Sequence, residues 1–421
     1  MSSSKELFEE EPICFALAVK HLNAYCHSCL KMGSDLKKCK GCRMFYYCSA
    51  DCQKKDWPLH KTECSMCKRL DGVSNEEVRL VMRLAIKWAS GDMGATQVDS
   101  DVRSLSTLQH HAEAFEIKSR QFLEEYKVFC KKAIVGDEVV KRLARVACVN
   151  SFSLTNNYST TIGIALCVKL SVIDHSCKPN VRYAYRGTTA VMVPTDMSHK
   201  PKSLKEARHS YINDLLPRKV RREILMRDYN FHCECEGCLD EERNERMEAW
   251  HCDECGDGWL KRDDKDAECS RCGWSISMDH FELCRVAEET ARSGNEFLVK
   301  PQIKLQDRVE LAEKVFSVTD GALYRFNVLR IPSLRVLFEN AVTQKNTEKM
   351  LKYGNDLLAL QGQYQNEDDL ALCHLKYGLA QAYKLAGDQE NCRQLLTGVR
   401  EVFGRAYGTN SSIYALISLM C

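Results

Sequence analysis

Three features that would assign the chain to a membrane, to the secretory pathway or to a nucleic acid are missing from the sequence. No apolar run among its 421 residues is long enough to span a membrane. Residues 1–11 are acidic where a secretory signal would be basic, and the apolar stretch at residues 13–19 is too short for one. Lysine and arginine (60) nearly balance aspartate and glutamate (58), so overall charge gives no reason to expect nucleic-acid binding. We therefore expect a protein of the nucleus and cytoplasm, without a membrane partner.

The 24 cysteines are the most informative residues of the chain. In a reducing compartment, closely spaced cysteines indicate zinc ligands rather than disulfides. Their density also divides the chain. Residues 26–64 hold a dense cysteine and histidine cluster, and residues 70–148 have few cysteines and a helical pattern. Residues 150–195 alternate apolar and polar residues between turn residues, which predicts short strands. Two more clusters lie within residues 233–272, and from about residue 281 the pattern is helical.

The first cluster offers eight ligands, enough for two tetrahedral zinc sites. They are Cys26, Cys29, Cys39, Cys42, Cys48, Cys52, His60 and Cys64. A C-x2-C pair places two thiolates on one side of a metal. A C-x3-C or H-x3-C pair on a helix supplies the other side, because residues i and i+4 share a helix face. The spacing predicts a two-zinc module and leaves sequential and interleaved pairings open.

Two further clusters predict two more zinc sites. The C-x-C-x2-C run at Cys233, Cys235 and Cys238 offers three thiolates, so a fourth ligand must come from elsewhere. The last cluster, at residues 252–272, has zinc-ribbon spacing. Its ligands are Cys252, Cys255, Cys269 and Cys272. Gly256 and Gly273 each follow the second cysteine of a pair, where a knuckle turn favours glycine. The alternative for this cluster is four free thiols in a charged loop.

Four stretches resemble the SET-and-MYND family of protein-lysine methyltransferases. Residues 46–61 are similar to its MYND finger, and residues 150–163 to part of its SET domain. The run at residues 171–180, Ser-Val-Ile-Asp-His-Ser-Cys-Lys-Pro-Asn, resembles that domain's Asn-His-Ser-Cys-x-Pro-Asn motif. Residues 231–238 resemble its cysteine-rich post-SET segment. The helical end of the chain is a looser match.

The resemblance implies an α+β protein in which a SET-type β fold is interrupted by a MYND zinc finger. A zinc-bound post-SET segment, an extra zinc ribbon and a C-terminal helical, tetratricopeptide-like domain would follow. The expected domains are 1–25 (a remnant of the N-terminal SET strands), 26–64 (finger), 65–148 (helical insert), 149–228 (SET core), 229–240 (post-SET), 250–275 (ribbon) and 281–421 (helical domain). Residues 376–388 fit one tetratricopeptide helix pair or an ordinary helical hairpin.

The resemblance also supplies ligand sets that spacing alone leaves open. It implies an interleaved finger, with Cys26, Cys29, Cys48 and Cys52 on one zinc and Cys39, Cys42, His60 and Cys64 on the other. It gives Cys177 as the fourth ligand of the post-SET site. The alternative is a buried thiol at Cys177, with water or another cysteine completing that site. With the ribbon, about four zinc ions per chain are expected.

The activity implied by the resemblance is methylation of lysine from S-adenosylmethionine, with histone tails as the expected substrate. The reaction needs a neutral, dehydrated amine aligned with the methyl group, and a narrow aromatic channel provides both. Tyr211 and Tyr229 match the family's channel and methyl-transfer positions. Phe231 matches the residue that packs on the adenine, and Asn156, Asp174 and His175 match cofactor contacts. The alternative for the tyrosines is ordinary packing.

The finger of this family usually binds proline-containing peptides, which makes Gln53 and Trp57 candidate contacts. Packing in a small core is the alternative for Trp57. The finger is also basic, through Lys37, Lys38, Lys40, Arg43, Lys54, Lys55 and Lys61. Such a surface attracts phosphate without sequence preference. Because no recognition helix is evident, a DNA-binding zinc protein ranks last of three hypotheses, after a methyltransferase and an adaptor.

Three departures from the family pattern favour a rival function, a zinc-braced adaptor that has lost cofactor binding. The family's glycine-containing strand pair before residues 6–8 is expected to be absent, which predicts weak cofactor binding. Asp174 stands where the family has Asn; an ionised Asp accepts hydrogen bonds but cannot donate them. It would suit the cofactor's ammonium group and oppose its carboxylate. Residues 206–210 replace the usual Gly-Glu-Glu before Tyr211.

Overall fold

Short strands and helices alternate up to about residue 277, and helices follow from there. The computed structural model describes residues 8–300 and 302–420. The strands are β1 Glu9–Glu10, β2 Cys14–Leu17, β3 Lys37–Lys38, β4 Tyr46–Tyr47, β5 Thr96–Val98, β6 Asp101–Arg103, β7 Ser151–Thr155, β8 Thr161–Leu166, β9 Asp174–His175, β10 Val181–Arg186, β11 Thr189–Pro194, β12 Arg208–His209, β13 Trp250–His251 and β14 Trp259–Leu260.

The helices account for most of the second half of the chain. The α-helices are α1 Ala50–Leu70, α2 Glu76–Ala89, α3 Glu116–Phe129, α4 Asp137–Asn150, α5 Arg218–Tyr229, α6 Glu236–Leu239, α7 Glu241–Met247, α8 Met278–Leu298, α9 Leu305–Thr319, α10 Ile331–Gln344, α11 Thr347–Gly362, α12 Leu370–Leu385, α13 Gln389–Tyr407 and α14 Ser412–Ser418. Short 3-10 helices lie at Val19–His21, Leu170–Val172 and Val328–Arg330. None of these described helices is long and apolar enough to span a membrane. The predicted α+β class is confirmed.

Two three-stranded antiparallel sheets form the β core. In one, β11 lies between β1 and β10; in the other, β8 lies between β2 and β7. The region before residues 6–8, where the family's strand pair is expected to be absent, lies outside the described residues, which begin at Phe8. Strands β2 and β8 approach so closely that a Cβ atom at Gly163 would lie 2.2 Å from the carbonyl oxygen of Ala16. A glycine in a strand interior is expected at such a close backbone approach.

A short parallel strand pair brings two distant loops together. Strand β12 pairs with β9, so that Arg208 lies opposite Asp174 and His209 opposite His175. The backbone N–H of Ser176 donates to the carbonyl oxygen of His209 at 3.0 Å. As a result, the motif at residues 171–180 lies beside the segment that leads into Tyr211.

Buried ion pairs hold the finger against the helical insert. Helix α1 begins in the finger, where the Ser49 side chain accepts a hydrogen bond from the backbone N–H of Cys52. Arg83 of α2 donates to Asp56 and Glu63 of α1 at 2.9 and 2.7 Å. All three side chains are buried, and removing one partner would leave an uncompensated buried charge. These pairs therefore define how α1 lies against α2.

The helical tail shares a hydrophobic core with the first sheet. Phe403 and Tyr407 of α13 belong to one cluster with Ala184 and Val191 of β10 and β11. The helical C-terminal region is confirmed. The stretch at residues 376–388 spans parts of α12 and the turn before α13, an arrangement that suits either a tetratricopeptide pair or a plain hairpin.

We predict that Gly163→Ala destabilises the β core, because the new Cβ atom meets backbone atoms that cannot move aside. Overpacking of this kind costs about 1–3 kcal/mol. Thermal unfolding of the zinc-loaded protein should show a lower transition temperature. Gly398→Ala is the control, since that glycine lies in α13 with open space around it; there, alanine should stabilise by about 0.5–1 kcal/mol. Equal transition temperatures for the two variants would contradict the strand geometry.

Candidate metal centres and active-site cleft

Fifteen cysteines and His60 converge in four groups, each with its ligand atoms within 4.8 Å of one another. The groups are Cys26, Cys29, Cys48 and Cys52; Cys39, Cys42, His60 and Cys64; Cys177, Cys233, Cys235 and Cys238; and Cys252, Cys255, Cys269 and Cys272. Within the finger this is the interleaved arrangement rather than the sequential one. In the third group, Cys177 lies with the three post-SET cysteines.

The sulfur separations fit zinc. Thiolates about 2.3 Å from a tetrahedral zinc ion lie about 3.8 Å from one another. The Sγ atoms of Cys29 and Cys48 are 3.6 Å apart, and those of Cys177 and Cys238 are also 3.6 Å apart. A disulfide would need about 2.05 Å, and the described cysteines are all free. The donor sets therefore fit four zinc ions.

The His60 ligand carries its own orienting partner. Its Nε2 atom lies 3.7 Å from the Sγ atom of Cys42, and its Nδ1 atom lies 3.2 Å from a carboxylate oxygen of Glu63. Burial opposes ionisation of Glu63, but Arg83, His60 and Arg79 hold the pKa of that carboxyl well below its usual range. The carboxylate thus accepts from Nδ1–H and leaves the Nε2 lone pair for the metal, the usual arrangement at zinc-binding histidines.

The third group joins the post-SET segment to the motif loop. The backbone N–H of Cys177 donates to the Sγ atom of Cys235 at 3.2 Å. A Cβ atom at Gly237 would lie 3.1 Å from the Cys177 carbonyl carbon, so a glycine lets the two segments approach closely. A zinc ion here would hold residues 233–238 against the loop that follows His175.

The ribbon belongs to the tail rather than to the motif loop. The Sγ atoms of Cys252 and Cys272 are 3.7 Å apart. Beside them Trp250 is fully buried, packs edge-to-face on Phe281 at 5.2 Å, and donates from Nε1 to Glu288 at 2.9 Å. Both partners lie on α8, so this zinc would brace the start of the helical tail.

Tyr211 and Tyr229 line a narrow aromatic cleft of about 100 Å³. Their ring centroids are 4.9 Å apart. The walls consist of Val149, Asn150, Ser151, Phe152, Ser153, Ser171, Ile173, Tyr183, His209, Ser210, Tyr211 and Tyr229. Burial raises the pKa of Tyr229 to about 12, and burial together with Asp174 and Tyr229 raises the pKa of Tyr211 above its usual range. Both phenols therefore stay neutral.

His175 and two carbonyl groups position the tyrosines. The Tyr211 hydroxyl donates to the carbonyl oxygen of Ile173 at 2.9 Å, and its backbone N–H donates to Nδ1 of His175 at 3.0 Å. The Tyr229 hydroxyl donates to the carbonyl oxygen of Tyr211 at 3.3 Å. Burial lowers the pKa of His175 to about 4, which agrees with an Nδ1 atom that accepts. Its Nε2 atom lies 3.2 Å from the Sγ atom of Cys177.

The three remaining predicted site residues differ in their position relative to this cleft. Phe231 joins the group, with its ring centroid 5.9 Å from that of His175. Asp174 is exposed at the start of β9. Asn156 lies apart, at the far end of β7 from Ser151, where its side chain accepts from the turn and donates to the Tyr25 hydroxyl at 3.0 Å. Its predicted cofactor contact gains no support from this placement.

Several cleft residues were not singled out from the sequence. Asn150, Ser151 and Phe152 lie in the stretch that resembles the SET domain, so that likeness did contain the signal. Tyr183 and His209 have no such local signature, because pairing between strands brings them to the cleft.

The two predicted peptide contacts of the finger lie one helical turn apart on α1. Gln53 donates to the Sγ atom of Cys39 at 3.4 Å. The Trp57 side chain is 41% exposed, and its ring lies 6.0 Å from that of His60. Trp57 is therefore available to a partner, and peptide binding stays a prediction.

Comparison with known proteins identifies similar chains. The family model for the MYND finger matches residues 26–64. A protein of Caenorhabditis elegans, "SET domain-containing protein 14", is 38% identical over 416 residues, which cover 98% of this chain and 96% of that protein. The "N-lysine methyltransferase" proteins SMYD2-A and SMYD2-B of Danio rerio are 29% and 30% identical, over 55% of this chain and 54% of each relative. The match therefore spans about half the length of these methyltransferases.

We predict that the metal-loaded protein contains four zinc ions and that Cys177→Ala contains three. The alanine variant should also lose affinity for S-adenosylmethionine, because the loop after His175 loses its anchor, while the finger keeps both metals. Cys167→Ala is the control, since Cys167 is buried but belongs to none of the four groups. Elemental analysis measures the ratio, and an unchanged zinc content in Cys177→Ala would refute the third ligand set.

Proposed function

Because the chain belongs to the SET and MYND domain-containing (SMYD) family, we propose that it is a protein-lysine N-methyltransferase that uses S-adenosylmethionine. The observation that carries the proposal is the narrow cleft lined by the packed phenol rings of Tyr211 and Tyr229, next to His175. Two relatives with lysine methyltransferase in their names support the proposal, each matched over about half of its length.

Residues around the cleft fit the cofactor. The buried hydroxyl oxygen of Ser151 has no hydrogen-bond partner among the described residues, so it remains available to a polar ligand. Phe231 is partly buried beside His175, where it offers a face for a flat aromatic group. The exposed carboxylate of Asp174 suits an ammonium group. S-adenosylmethionine supplies, when bound, an electrophilic methyl group on a sulfonium centre.

The protein's own part in the reaction is to dehydrate and orient the lysine. Tyr211 and Tyr229 line a narrow cleft whose walls carry no charge, and in such surroundings a lysine pKa falls, which favours the neutral amine that can attack. Two hydrogen bonds to fixed groups keep Tyr211 in place. Orientation of this kind contributes much of the rate in enzymes, and an error of about 1 Å can cost a hundredfold.

The altered segment before Tyr211 does not remove the contacts that shape the site. The side chain of Asn180 donates to the carbonyl oxygen of Glu206 at 2.9 Å and accepts from the backbone N–H of Arg208 at 2.7 Å. Both partners are backbone groups, so the replaced side chains leave these bonds intact. This favours the enzyme over the adaptor.

We further propose that the substrates are lysines of histone tails or other proteins, and that the finger binds proline-containing peptides through Gln53 and Trp57. Trp57 supports the second point, because an exposed indole on a rigid helix is a typical peptide contact. The nucleus and cytoplasm remain the proposed location.

We predict that Tyr211→Phe lowers methyl transfer about a hundredfold. The ring loses the hydrogen bond to the carbonyl oxygen of Ile173 that fixes its position, so the lysine amine is oriented less well. The assay is transfer of labelled methyl from S-adenosylmethionine to core histones. Tyr158→Phe is the control, since Tyr158 is 48% exposed in the β7–β8 turn. Calorimetric titration of the wild-type chain with S-adenosylmethionine separates the two hypotheses. If the chain neither binds the cofactor nor transfers methyl groups, the adaptor hypothesis is favoured.

A further inference from the structure

The α11–α12 loop of the tail, residues 363–369, contacts the SET region at two points. At one contact the Asn366 side chain donates to the Thr195 hydroxyl at 3.0 Å. At the other, Asp369 accepts from Arg182 of β10. Each of these SET residues is bonded in turn to a loop that carries site residues.

Arg182 bridges two buried carboxylates. Its Nε atom donates to both oxygens of Asp369 at 3.1 and 2.9 Å, and its Nη1 and Nη2 atoms donate to the two oxygens of Asp214 at 3.1 and 2.8 Å. The side chains of Asp369 and Asp214 are only 2% and 7% exposed, and that of Arg182 is 16% exposed. Multiple charge-assisted bonds give such a contact a defined geometry.

The bridge ends close to the proposed methyl-transfer site. Asp214 follows Tyr211 by three residues, and Tyr183, next to Arg182 on β10, lines the cleft. The second contact leads to the motif loop, since the Thr195 hydroxyl donates to the carbonyl oxygen of Pro179 and its backbone N–H donates to that of Asn180, both at 3.0 Å. The tail therefore supports both loops that form the site.

We propose that Asp369 is a positioning residue for methyl transfer: through Arg182 and Asp214 it holds the Tyr211 loop in the geometry that the reaction needs. The inference rests on the proposed function of the cleft. It assigns the tail an indirect part in the chemistry, through the geometry of the Tyr211 loop. The network also accounts for two acidic side chains being buried at the joint between two parts of the fold, where an unpaired carboxylate would be costly.

Asp369→Asn tests the bridge without removing the helix cap. Asp369 also accepts from the backbone N–H of Ala371 at 2.9 Å at the start of α12, and Asn caps helices as well as Asp does. Arg182 stays paired with Asp214. The matched control is Glu367→Gln, which removes the same charge from an exposed position in the same loop.

Two measurements on the full-length, zinc-loaded protein are needed. We expect amide hydrogen exchange over residues 211–216 to rise about tenfold to a hundredfold in Asp369→Asn and to be unchanged in Glu367→Gln, since a bond to a charged group is worth about 1.5–3 kcal/mol. With core histones as the acceptor, we expect kcat to fall at least tenfold relative to the control (about 1.4 kcal/mol). Affinity for S-adenosylmethionine should change less than threefold.

A merely structural role would lower the unfolding temperature but leave kcat at low temperature, and exchange at residues 211–216, equal to the control. A kcat equal to that of the control, or exchange at residues 211–216 equal to that of the control, would overturn the proposal. If the wild-type chain transfers no methyl group, the proposed function fails, and the exchange measurement still decides whether Asp369 holds the Tyr211 loop.

Discussion

The site depends on the attachment of the motif loop to the post-SET segment at Cys177. A thiolate from the loop meets three from a run that lies more than fifty residues later. The motif at residues 171–180 has little regular structure of its own, the end of a 3-10 helix and the two-residue strand β9. A zinc ion on these four ligands would supply the rigidity that hydrogen bonds in so short a strand cannot. His175, two residues before Cys177, then has a fixed position from which its Nδ1 atom receives the backbone N–H of Tyr211.

Buried charged groups hold other parts of the molecule together. Arg83 joins the finger to the insert through Asp56 and Glu63, and Arg182 joins the tail to the Tyr211 loop. Buried pairs of this kind add little stability compared with apolar packing, because both partners lose hydration. Their effect here is geometric: a guanidinium with two carboxylates permits few alternative arrangements. The apolar core between α13 and the first sheet stabilises the contact between tail and sheet, whereas the ion pairs define how the two parts are oriented.

Features formed by residues close together in the sequence could be predicted, whereas features formed by distant residues could not. Ligand spacing is local, so the finger and ribbon could be predicted from short motifs, and the likeness to a family added Cys177. The Tyr211 and Tyr229 pair also followed from that likeness, and the structure brings the two rings together. Asn156 did not join them, because the β7–β8 hairpin places its turn at one end and Ser151 at the other. The Arg182 bridge has no sequence signature, since its three members come from β10, a loop and the tail.

The position of Asp174 bears on whether the departures disable the site. Its backbone is held by pairing with Arg208, so exchanging Asn for Asp does not disturb the strand. Its carboxylate is exposed to water, which limits the electrostatic penalty of the extra charge to a screened interaction. The same charge lies close enough to raise the pKa of Tyr211 together with burial, so it opposes ionisation of that phenol. At this position an aspartate therefore leaves both the strand pairing and the neutral state of the Tyr211 phenol unchanged.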